Sequence, residues 1–353
     1  MHCEVLIIGG GLSGLRLAHL LHGRGVDMRL IEARDRFGGR VLTEAEGGGY
    51  YDLGPAWFWD GQPRIAALID QFKLKPFEQY AKGVLSFEDE TGNVQRGRGF
   101  ASMEGSYRLA GGLGALIGAL ADSIPNDRLH LSQPATELSR VNGQITVTCA
   151  NGLTVAAKRV VLALPPRVAA TLAFAPALPA TAVAKMEGVA TWMAGQAKAV
   201  ALYDTPFWRE AGLSGDAMSR HGPMVEIHDA SPASGGPYAL FGFIGVPSAA
   251  RRNDAALRRA IVAQFARIYG EKAATPRNLF VKDWASDPFT STPLDQQPVY
   301  SHPTYGRPAA FRDLWDGDLI LSGTETAPQF GGYLEGALEA AENVLPLLAT
   351  EKV

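Results

Sequence analysis

Val5-Leu6-Ile7-Ile8-Gly9-Gly10-Gly11-Leu12-Ser13-Gly14 decides the fold of this chain. Four apolar residues suit a buried parallel strand, and the GxGxxG pattern that follows leads into a run where Leu17, Leu20 and Leu21 recur at helical spacing. The glycines therefore sit where a strand turns into a helix. In a dinucleotide-binding unit Gly9 permits the tight turn, Gly11 lets backbone approach a pyrophosphate and Gly14 lets helix and strand pack closely. The helix N-terminus, with Leu12 and Ser13, favours negative charge. Met28-Arg29-Leu30-Ile31 reads as the second strand, closed by Glu32 at the distance expected of a ribose-binding carboxylate. An acid there favours an unphosphorylated ribose.

The continuation Glu32-Ala33-Arg34-Asp35-Arg36-Phe37-Gly38-Gly39-Arg40 resembles the ExxxxxGGR extension of the flavin-containing amine oxidases. The resemblance implies non-covalent FAD rather than NAD. Ala33, Arg34, Gly39 and Arg40 join the cofactor candidates, with the Arg40 guanidinium suited to a diphosphate. Tyr51-Asp52-Leu53-Gly54-Pro55-Ala56-Trp57-Phe58-Trp59 resembles the family stretch that lies against the flavin ring, which implicates Gly54, Pro55, Ala56 and Trp57. Near the C-terminus, Gly323-Thr324-Glu325-Thr326 and Gly332-Tyr333-Leu334-Glu335-Gly336-Ala337 resemble the GTET turn and the GY-x-E-G helix start. They imply a ribitol contact from Glu325 and a helix N-terminus at Leu334 under the flavin pyrimidine.

The same resemblance implies the chemistry. Tyr333 stands as one ring of an aromatic slot for the amine, and Trp284 matches a flavin-contacting tryptophan. Phe289, Tyr300 and Tyr305 are the substitutes available for the second ring. Lys198, in a run whose period of two puts it on the face of Val200 and Leu202, matches the lysine that holds a water against flavin N5. His302, in a Pro-rich loop, is read as structural. The partners expected are an amine and O2. A carbon-skeleton dehydrogenase of the desaturase or porphyrinogen-oxidase kind, a flavin carrier with little turnover, and an NAD dehydrogenase remain alternatives.

The fold class expected is α/β: a Rossmann-like FAD-binding domain of the two-dinucleotide-binding-domain flavoprotein type plus a mixed α+β substrate domain. FAD-binding parts are expected over residues 1–56, 111–165 and 310–353, and substrate parts over 57–110 and 166–309. Asn142-Gly143 and Asn151-Gly152 separate alternating runs in a β-meander that carries Thr136, a further cofactor candidate. Leu153–Val155 and Arg159–Leu164 read as separate strands of that meander. Family members with a larger substrate domain place a long helical region between the aromatic stretch and Gly111, so this active site is expected to be more open or differently roofed.

A net charge of -3 and no basic run with interleaved aromatics argue against nucleic acid. Cys3 and Cys149 build neither a disulfide framework nor a zinc site, so no metal is expected and a reducing compartment fits. A first strand beginning almost at Met1 leaves no room for a signal peptide, and no apolar run reaches membrane-span length. A soluble cytoplasmic protein is the expectation.

Overall fold

The computed structural model describes residues 1–297, 299 and 301–349. His2–Ile8 pairs in parallel with Met28–Ile31 on one side and with Thr154–Leu162 on the other, and Leu129–His130 extends the sheet beyond Met28–Ile31. Both faces are covered, as a parallel sheet requires. Val5 and Ile7 pack against the helices Leu12–Gly23, Gly114–Asp122 and Leu334–Ala349, while Cys3, Leu6 and Ile8 pack against Leu178, Met186 and Phe311.

The two strands expected at Leu153–Val155 and Arg159–Leu164 are one, Thr154–Leu162, and its two halves do different work. Residues 154–157 pair antiparallel with Gln144–Cys149, whereas 160–162 pair in parallel with Leu319–Leu321. One continuous strand therefore joins the meander to the C-terminal segment, which brings Gly323 beside the Gly9 loop. The Asn142-Gly143 turn has φ of 51° and 77°, the left-handed pair that a two-residue hairpin needs.

A second sheet runs in the spatial order Asn278–Asp283, Ala197–Tyr203, Tyr238–Ile244, Met224–Asp229, Leu213–Ser219, Val84–Glu88, Val94–Arg96. Its alternation sorts the faces. Ala197, Ala199 and Ala201 face Leu257, Ile261 and Phe265 of the helix Asp254–Tyr269, while Val200, Leu202 and Phe241 face Tyr51 and Leu53. Small residues on the helix side let that helix lie close, and bulky ones form the wall turned toward the nucleotide-binding sheet. Among the described residues no helix is long and apolar enough to cross a membrane.

Candidate active site

The first strand ends in Gly9, whose φ of +110° makes the turn, and the Leu12–Gly23 helix starts with no side-chain cap. Its first internal bond is Leu15 N–H to Gly11 O at 2.9 Å, so the N–H groups before it are left for an incoming anion. Gly14 is required by packing: a Cβ there would lie 1.9 Å from Gly9 O. Gly11 faces open space, the nearest atoms to its Cβ position being 3.9 Å away. Glu32 is buried and holds the loop, accepting from Gly10 N at 2.6 Å through one oxygen and from Arg34 N at 2.9 Å through the other.

Arg34 ties this end to the second sheet. Its guanidinium donates to Asp287 Oδ1 at 2.5 Å and Thr290 Oγ1 at 2.9 Å, and Lys282 Nζ donates to the other Asp287 oxygen at 2.8 Å. Burial alone would raise the Asp287 carboxyl, but the Lys282 hydrogen bond and the Arg34 charge hold it below the usual carboxylate range. Arg40 donates to Glu325 Oε1 at 2.7 Å, and the Glu325 side chain is fully buried. The other Glu325 oxygen has no hydrogen-bond partner among the described residues.

One cavity of about 710 Å³ runs from Gly9, Gly11, Leu12 and Ser13 past Glu32, Arg34, Gly39 and Arg40 to an aromatic chamber. Its further lining includes Gly54, Pro55, Ala56 and Trp57. Trp284, Gly323, Thr324, Gly332, Tyr333, Leu334, Ala337 and Lys198 complete the expected residues that reach it. Gly14, Ala33 and Glu325 stand behind the wall. Thr136 does not belong to the site: it lies exposed on Ala135–Val141, its hydroxyl donating to Thr148 O at 3.1 Å. A groove that begins at an open helix N-terminus, carries a buried carboxylate and ends beside an orphaned Glu325 oxygen fits FAD. Gly11 to Ser13 would face its diphosphate and Glu32 its ribose.

At the chamber, the carbonyls of Leu53 and Gly54 are gripped from the second sheet. Trp284 Nε1 donates to Leu53 O at 2.9 Å and Lys198 Nζ to Gly54 O. Gly54 itself is needed for the approach of Arg40, whose carbonyl oxygen would be 2.0 Å from a Cβ, rather than for room beside a cofactor. Lys198 is buried, with its Nζ 5.6, 4.8 and 4.7 Å from the ring centres of Trp57, Phe241 and Phe243. Burial pushes its pKa down to about 7. Between that value and 10.5 the unfolded chain holds a proton that the folded chain lacks, so this group makes stability rise with pH across that window. Lys198→Met should flatten the rise, read as unfolding free energy against pH.

Tyr333 projects into the cavity with its ring stacked on His302, centroids 4.8 Å apart and planes 5° apart. Thr324 sets the turn beneath it, accepting from Gly332 N at 2.9 Å and donating to Tyr333 O at 3.0 Å. His302 also contacts Trp192, at 5.0 Å, so the loop histidine orders an aromatic row along one wall. Two expected substitutes for the second ring are misplaced. Phe289 lies at the nucleotide end, 5.3 Å from the Arg34 guanidinium, and the Tyr305 hydroxyl is committed to Ala190 O and Trp192 N. Tyr300 lies outside the described residues. Trp192, which sequence reasoning passed over, reaches the cavity instead.

Sequence reasoning also missed the strand Met224–Asp229, which brings Glu226 to the cavity. Its signal was a polar residue at every second position, Glu226 and His228, which reads as an exposed face. The Leu113 N–H donates to Asp52 at 3.0 Å, fixing the start of Gly114–Asp122 against the hairpin that leads into Gly54.

An open dinucleotide groove continuous with a lysine-bearing aromatic chamber defines a flavoprotein oxidoreductase. The flavin containing amine oxidoreductase family model matches residues 87–344, and an NAD(P)-binding Rossmann-like domain model matches 7–72. The chain belongs to the flavin containing amine oxidoreductase family, whose cofactor is FAD. It is 24% identical to a probable flavin-containing monoamine oxidase A of Dictyostelium discoideum, over 97% of this chain and 96% of that one. To the putrescine oxidase of Kocuria rosea it is 22% identical, over 81% and 83%. Among solved structures, putrescine oxidase bound to putrescine superimposes with a TM-score of 0.81 at 20% identity, covering 99% of this chain and 100% of the other. Cyclohexylamine oxidase from Brevibacterium oxydans gives 0.81 at 20%, covering 98% of each. These solved structures share the α/β fold with this chain.

Proposed function

We propose that this protein oxidises amines, with the carbon–nitrogen bond held in the chamber between Lys198 and Tyr333. Bound FAD supplies the acceptor for hydride from the amine α-carbon and is returned to its oxidised form by O2 with release of hydrogen peroxide. The imine so formed then hydrolyses to a carbonyl compound and an amine or ammonia. The observation that carries the reading is Lys198, a buried amine in a cage of rings, opening on the same cavity as the Leu334 helix start.

The residues have separable tasks. Trp57, Phe243 and Tyr333 exclude water and present ring faces to the substrate nitrogen. The Leu334 helix start offers N–H groups where negative charge gathers on reduction. Lys198 holds a proton at Nζ that is lost as pH rises through about 7, and its ammonium form steers oxygen reduction. A neutral amine needs no general base for the transfer, so Lys198 need not act as one.

Anaerobic titration of the bound flavin with a panel of monoamines, polyamines and amino acids tests the reading. Bleaching by an amine is expected; a flavin that no amine bleaches would redirect the assignment to a carbon-skeleton donor. Lys198→Met should slow reoxidation of the reduced protein at least about tenfold, on the order of 1.4 kcal/mol of barrier. In the wild type that rate should fall as pH rises through about 7, and in the variant it should be flat. Stopped-flow mixing with O2 reads both.

A further inference from the structure

The Met224–Asp229 strand places a negative charge in the cavity that amine oxidation as described does not use. Lys198 pairs with Phe243, and Phe243 pairs with Glu226, in one row across three neighbouring strands. At ~4.8 Å between strands, the Glu226 and Lys198 backbones are about 10 Å apart, and both side chains stand on one face. Both line the cavity. They form no ion pair with each other among the described residues: Lys198 is committed to Gly54 O and its three rings.

Glu226 is built in from behind. Its Oε1 accepts from Ser102 Oγ at 2.5 Å and from His228 Nε2 at 3.0 Å, and the other ring nitrogen, Nδ1, bonds Asp216 Oδ1 at 2.7 Å. The His228 side chain is buried and stacks on Phe241. Burial disfavours its cation, but Asp216 and Glu226 raise its pKa above the ordinary histidine value. An imidazolium between two carboxylates leaves the trio with one net negative charge. Burial likewise would raise the Glu226 carboxyl, yet the bonds from His228 and Ser102 and the Lys198 charge bring it below the usual range. A carboxylate held ionised in this way is a poor base and a good anchor for a cation. Its Oε2 has no hydrogen-bond partner among the described residues, and the side chain is 25% exposed.

Resting on the amine-oxidase reading, we infer that Glu226 binds a second cationic group of the substrate. The preferred substrates are aliphatic diamines or polyamines, in which one nitrogen is oxidised while another remains an ammonium on Glu226 Oε2. His228 and Asp216 are positioning residues that hold the carboxylate in its orientation.

The test uses the FAD-loaded enzyme with 1,4-diaminobutane and butylamine. The wild type should favour the diamine in kcat/KM by at least about tenfold, the size of one charge-assisted hydrogen bond. Glu226→Gln should lower that preference at least about tenfold, mainly through KM, and Glu226→Asp should restore part of it. A wild type that takes butylamine as well as the diamine overturns the proposal without any variant, as does a Glu226→Gln protein that keeps the preference. If no amine of either kind bleaches the flavin, the amine-oxidase reading fails and the anchor falls with it. Bleaching without diamine preference removes the anchor alone.

Discussion

Gly14→Ala is expected to yield a colourless protein. The added methyl would sit 1.9 Å from Gly9 O and 3.2 Å from Ala163 Cβ, where Cβ contacts under 3.0 Å are essentially never seen. Neither neighbour can yield cheaply, because one is the backbone of the phosphate turn and the other belongs to the segment leaving the central strand. The helix must then move off the strand, and its N-terminal N–H groups move with it. FAD affinity should fall at least about 100-fold, about 2.8 kcal/mol. Titration of apoprotein with FAD, followed by flavin fluorescence, measures it. Gly23→Ala, in the same helix with nothing within 4 Å of its Cβ position, should bind FAD like the wild type. A Gly14→Ala protein that purifies yellow at full stoichiometry would remove the packing account.

Arg40→Met should be the most destabilising change on the polar side of the site. Glu325 is fully buried, Arg40 Nη1 donates to one of its oxygens at 2.7 Å, and the second oxygen has no partner among the described residues. Burial opposes the Arg40 charge, but Glu325 raises the Arg40 pKa above its ordinary value, so the cation persists. Removing it strands a carboxylate away from water, which costs about 3–5 kcal/mol. The double variant Arg40→Met with Glu325→Gln should recover a large part of that, because the uncompensated charge goes too. Urea unfolding of the apoprotein reads both, and equal stability of single and double variants would show that the pair bears no such cost.

The sequence carried the nucleotide half of the molecule almost to the residue. A buried strand, a glycine turn and a helix are local events, and Gly9, Gly14 and Glu32 do by neighbouring contacts what their spacing implies. The strands Ala197–Tyr203 and Tyr238–Ile244 and the helix Asp254–Tyr269 were equally legible, from alternation, helical spacing and the closing Gly270. Thr136 shows the limit. A residue in the correct strand still falls on the wrong face, because a shift of one position exchanges the two faces of a sheet.

What the chain determined alone is therefore the dinucleotide groove, since its turns and helix starts are written in consecutive residues. The chamber was decided only by tertiary structure. Gly54 and Lys198 are linked by a hydrogen bond across 144 positions, and Tyr333 takes its orientation from His302. Glu226 reaches the substrate wall because three strands from separate stretches align it with Phe243 and Lys198. Local pattern specifies which faces are apolar, but which polar side chain meets which cavity depends on strand pairing. That pairing is fixed by the packing of both sheets at once.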